Sequence, residues 1–119
     1  MIITKLISYL STALSSGQNQ IFVGVEAPTE YTGYVLIDQT GSSTSNHITT
    51  TTIAIQSYGA SLYEAILLNE QVKAAMVGFA EEPEISSVKL DTDYNFTNTA
   101  TKQYRWQAVY KITHYLGGI

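Results

Sequence analysis

Apolar residues between Ser61 and Phe79 recur at three- and four-residue intervals: Leu62, Ala65, Ile66, Val72, Ala75, Met76 and Phe79. Glu64, Asn69, Glu70, Gln71 and Lys73 fall largely elsewhere, so the spacing predicts one amphipathic helix with a face to bury. Ser61 followed by Glu64 forms a capping box that sets its start. Gly78 and then Glu81-Glu82-Pro83 are expected to end it. A shorter stripe, Leu6, Ile7, Leu10, Ala13 and Leu14, predicts a first helix from Thr4 to Leu14, stopped by Ser15-Ser16-Gly17.

The other apolar segments have the period of strands. Gln20 to Val25 is a short β-rich run, and Tyr34-Val-Leu-Ile37 a near-continuous apolar one. The Pro28 and Gly33 loop separates them. Ile48 to Gln56 is rich in threonine, whose β-branch favours extended backbone. Its parity is inconsistent, with Ile53 and Ile55 on one side and Ile48 on the other, so a bulge or an outer end leaving the core is expected. Ser57-Tyr58-Gly59 reads as the turn into the long helix. From Ile85 to Tyr94, Val88, Leu90, Thr92 and Tyr94 alternate with Lys89, Asp91 and Asp93. The last strand alternates most clearly, Tyr104, Trp106, Ala108, Tyr110 and Ile112 against Gln103, Arg105, Gln107, Lys111 and Thr113. Asn95 to Thr101 is a polar loop, and the 116–119 tail is expected to be loose. The order is therefore α-β-β-β-α-β-β: an α/β chain of α+β type, with a mainly antiparallel sheet and two helices packed on it. At 119 residues it is expected to form a single domain, 1–119.

Composition narrows the function classes. Only 13% of the residues are charged, about half the usual share, while 45% are hydrophobic. A surface of hydroxyls and amides is easier to desolvate against a partner than one of ions. The net charge of -4, with six lysines and arginines spread singly, argues against specific binding of nucleic acid. No cysteine is present, which excludes disulfides and thiolate chemistry. No apolar run approaches the roughly 20 residues of a membrane span, and no signal-peptide pattern is seen, so a soluble protein made inside the cell is expected.

Chemistry is sought and not found. His47 and His114 match no ligand spacing. Asp91-Thr-Asp93-Tyr-Asn95 opens like a calcium loop but has Phe96 where glycine is needed and Lys102 where a bidentate glutamate is needed. No nucleophile motif or phosphate-binding loop occurs. The expectation is no enzyme, no cofactor and no metal. Of the aromatics, Tyr94, Tyr104, Trp106 and Tyr110 read as core, and Tyr31, Tyr58, Tyr63 and Tyr115 as interface residues. The polar stretch Thr40-Gly41-Ser42-Ser43-Thr44-Ser45-Asn46 reads as a flexible hairpin loop, or as a projecting arm that orders on assembly.

The proline loop leading to Ile37, the Ile53-Ala-Ile-Gln-Ser-Tyr58 strand, the helix beginning Ser61-Leu-Tyr-Glu-Ala65 and the Arg105-Trp-Gln-Ala-Val-Tyr110 strand stand in a recognisable order. The layout resembles tail terminator and tail-completion (head-tail joining) proteins of long-tailed bacteriophages and prophages, over nearly the whole chain. The resemblance implies a structural subunit of a homo-oligomeric, hexameric ring. Such a ring caps the tail tube, stops its polymerisation and offers a docking surface to the head connector. It would sit at the tail-head joint of the virion, assembled in the bacterial cytoplasm, with DNA only in transit. Arg105 joins Gly41 to Asn46 and the named tyrosines as interface candidates, and Glu81, Glu82, Asp91 and Asp93 are candidates for an acidic lumen. A head-closure or connector component, or a small ligand-binding module, are the alternatives.

Overall fold

The structure, a computed structural model, describes residues 2–14, 21–29 and 33–115. Two helices and a five-stranded sheet make an α+β fold in the expected order. Helix α1 (Ile2–Leu14) comes first, then β1 (Phe22–Gly24), β2 (Tyr34–Ser45) and β3 (Ile48–Gly59). Helix α2 (Leu62–Phe79), β4 (Ile85–Asn95) and β5 (Tyr104–His114) complete it. The spatial order is β1-β2-β3-β5-β4. Only β1 and β2 run parallel; every other pair is antiparallel.

Both helices lie on one face of this sheet, α1 against β1 and β2, α2 against β3 and β5. Ile2, Leu6, Leu10 and Leu14 put one residue per helical turn of α1 into the core. Val72, Met76 and Phe79 do the same for α2, meeting Ile53, Ile55, Ala108 and Ile112 from the central strands. The Ser61 cap forms as expected: its Oγ accepts from the Glu64 N–H at 3.2 Å. A Cβ on Gly59 would lie 2.6 Å from the Ala65 nitrogen, so glycine lets the end of β3 touch the first turn of α2.

Several expectations are corrected. Thr40 to Ser45 is not a loop but the outer half of β2, with Gly41 to Ser45 laddered against Thr52 to Ile48. Pairing with the threonine-rich β3 overrides the weak strand preference of glycine and serine. The turn itself is only Asn46 and His47, both with positive φ (52° and 66°), as a two-residue hairpin requires. Ser57 to Gly59 belongs to β3, not to a turn. Its register against β5 runs unbroken from Thr49 to Gly59. The shift lies instead on β2, between Gln39 and Gly41, and Thr49 and Thr51 take the core parity while Ile48 does not. α2 does end between Gly78 and Glu81, at Phe79, and Gly78 is its penultimate residue, where a Cβ would come 2.6 Å from the Tyr9 hydroxyl. Asn69, expected on the polar side, is 2% exposed, and Leu68 is buried beside it. A register shift between Leu90 and Thr92 turns Asp93 to the helix side and Tyr94 to the other, so Tyr94 is not core. The 15–17 stop signal and the 116–119 tail lie outside the described residues.

Candidate functional site

On the face of the sheet opposite the helices, strand register brings distant side chains into one band. Gln56 pairs with Gln107 and Tyr58 with Arg105 across β3 and β5, while Tyr94 pairs with Gln107 across β4 and β5. Residues paired in a ladder share a face, and no described helix or strand lies over this one; Tyr34, Tyr58 and Gln107 are nonetheless buried, at 8%, 7% and 8% exposed, while Tyr94 and Phe96 are open at its edge. The band is continuously hydrogen-bonded. Gln107 Nε2 donates to the Tyr94 hydroxyl, Gln56 Nε2 to Gln107 Oε1 at 2.8 Å, and the Tyr58 hydroxyl to Gln56 Oε1 at 2.9 Å. Arg105 closes the row, donating through Nη1 to the Tyr58 hydroxyl at 2.9 Å and through Nε to the Phe96 carbonyl at 2.6 Å.

Rings flank this row on both sides. Tyr34 stacks on Tyr58 with centroids 4.5 Å apart, and the Arg105 guanidinium lies 4.5 Å from the Phe96 ring centre. Burial, and then the neighbouring Tyr58, push the Tyr34 hydroxyl above its ordinary pKa, so it stays protonated at neutral pH. Each polar member has at least one partner, which fixes its rotamer before any partner arrives. Chemically the band can hydrogen-bond and stack. It contains no carboxylate or imidazole to move a proton.

Of the expected interface residues, Tyr58 and Arg105 meet in this band, Tyr58 buried at 7% exposed and Arg105 half-buried. Tyr63 and Tyr115 are exposed (70% and 55%) but lie outside it. Gly41 to Asn46 are exposed along the outer half of the hairpin. Tyr31 lies outside the described residues. The sequence offers no reason to place Tyr34, Gln56 or Gln107 in a site, reads Tyr94 as core and marks Phe96 only as the residue that breaks a calcium loop. Gln56-x-Tyr58 and Arg105-x-Gln107 each share one parity, and aligning those two strands would have been the signal for them. Tyr110 is buried as expected, its hydroxyl pushed up to about 12, chiefly by burial. Tyr104 and Trp106 are half-buried rather than core.

The four acidic candidates do not form one patch. Asp93 accepts from Trp106 Nε1 at 2.9 Å and lies 3.6 Å from Lys73 Nζ. Glu82 lies 4.0 Å from Lys5 Nζ at the far end of α2, while Glu81 and Asp91 are exposed. Among the described residues no cluster of histidine, aspartate and glutamate could hold a metal ion, and no helix is long and apolar enough to cross a membrane. A groove of about 270 Å³ runs past Gly59, Ala60, Glu64, Leu67 and Gln71, with Glu64 and Gln71 as its longer polar side chains. Comparison with known protein families and with curated proteins gives no match to either.

Proposed function

We propose that this chain is a structural subunit of a phage tail terminator, forming a ring that caps the tail tube and presents a joint to the head connector. The observation that carries the reading is the pre-ordered aromatic and amide band on the sheet face that no described helix covers, with Tyr94 and Phe96 exposed at its edge. Such a band suits a broad protein contact better than enclosure of a small molecule. The two-helix, five-strand order agrees with the family layout that the sequence resembles. The exposed outer half of β2 and the 13% charged composition suit a subunit whose surfaces become buried.

The mechanism is steric: a ring seated on the last layer of the tube removes the surface that the next layer would use. The test is to add the purified protein to polymerising tail tubes and measure their lengths by electron microscopy. Capped ends and arrested growth are expected, and tubes that grow unchanged refute the terminator reading. Binding to filled heads but not to tubes would assign it to head closure instead. The groove beside Glu64 and Gln71 is where a ligand-binding module would hold its ligand.

A further inference from the structure

The charges of this acidic chain are segregated between two sides. Lys89 and Lys111 stand directly opposite each other in the β4–β5 ladder, both exposed. Lys111 shares the parity of Gln107 and Arg105, so all three cations lie on the bare face of the sheet. The paired acid of that face is Asp38, two strands away opposite Ala54, and exposed Asp91 is the unpaired bulge residue between Leu90 and Thr92. Like charges directly opposed across a ladder are unfavourable in the isolated chain. A neighbouring surface that supplies carboxylates would relieve this.

The outer side of α2 supplies them. Glu64 and Glu70 are exposed along it, and Glu81 follows just beyond its end. Beside them run Tyr63, Leu67 and Val77, 70%, 44% and 77% exposed. The cation of this helix, Lys73, is half-buried and held between Glu70 and Asp93. Scattered exposed apolar residues are ordinary, but here they line one stripe of a single helix beside carboxylates. Because α2 packs on the covered face of the sheet, this stripe and the bare face point to opposite sides of the chain.

Building on the ring-subunit reading, we infer that the two surfaces are each other's partner: the α2 stripe of one copy seats on the bare sheet face of the next. A head-to-tail contact requires two different, complementary patches on each copy. Here glutamates meet lysines and Arg105, and Tyr63, Leu67 and Val77 meet the ring-bearing side of Tyr94 and Phe96.

Native mass measurement of the full chain and of charge-reversed variants tests this. Lys89→Glu with Lys111→Glu, and separately Glu70→Lys with Glu81→Lys, should each reduce the assembly to the single 13.1 kDa chain. All four positions are exposed or at the rim, and circular dichroism checks that the fold is kept. An equimolar mixture of the two variants should associate again, since each retains one intact face. The chain carrying all four substitutions should assemble as the wild type does. If either variant assembles like the wild type, or the mixture and the fourfold variant stay single, the inference falls while the ring reading stands. A wild-type chain that stays single and leaves tubes uncapped overturns both. Binding of a short DNA duplex at physiological salt, abolished by the lysine reversals with no change in particle mass, would give the bare face to nucleic acid and also overturn it.

Discussion

The Ser57 hydroxyl is fully buried on the core side of β3 and has no hydrogen-bond partner among the described residues, and the Asn69 carbonyl oxygen on α2 is in the same position. An unpaired buried polar atom carries its full desolvation penalty, about 1–3 kcal/mol. Ser57→Ala removes that atom at almost no change in volume, so it should raise stability by about 1 kcal/mol. A higher urea midpoint at unchanged slope is the expected reading, and a lower midpoint would mean that the hydroxyl has a partner after all. His114 is the opposite case. It is 1% exposed, with its Nε2 2.8 Å from Thr51 Oγ1, and burial lowers its pKa. As pH falls through about 6.5 the unfolded chain takes up a proton that the folded imidazole still refuses. Stability is therefore full above that pH, declines below it, and levels off once the folded ring is also protonated. Thermal unfolding followed from pH 8 to pH 5.5 should show the decline, and His114→Gln should remove that component of it.

At the scale of elements, the contact between the two helices turns on one residue. Gly78 leaves room for Tyr9, whose hydroxyl donates to the Ala75 carbonyl at 2.7 Å and whose ring leans on Phe79 at 5.0 Å. Alanine is ordinarily favoured over glycine inside a helix by about 1 kcal/mol. Here the added Cβ would stand 2.6 Å from the tyrosine oxygen, so Gly78→Ala should destabilise the wild type. In a Tyr9→Phe background the obstacle is gone, and the same change should stabilise by about 1 kcal/mol. A denaturation cycle over the four proteins checks this. The same sign in both backgrounds would show that Tyr9 does not set the helix approach. The outer half of β2 teaches the reverse lesson about elements. Gly41, Ser42 and Ser43 are poor strand formers, yet they lie in the sheet because β3 supplies their ladder.

Across the whole molecule, one face of the sheet is sealed by helices and the other holds a hydrogen-bonded band without a covering element among the described residues. The element order, the two helical stripes, the Ser61 cap and the alternation of β5 were all legible in the chain. Each depends on period or on contacts within one turn, and these are local. The band was legible only in fragments. Tyr58 and Arg105 could be named as interface residues, but their meeting depends on which strand lies beside which, a matter of long-range register. The bulge opposite Val109 reversed the meaning of Asp93 and Tyr94, and no period in β4 announces it. The approach of α1 likewise gave Gly78, beside the helix end, a second role as a point of contact with Tyr9. Period and local sterics, which act over a few residues, marked the order of the elements, while pairing with β3 extended β2 through Ser45. The tertiary structure decided which polar residues share a face, because that follows from pairing between segments whose separation along the chain carries no trace in either one.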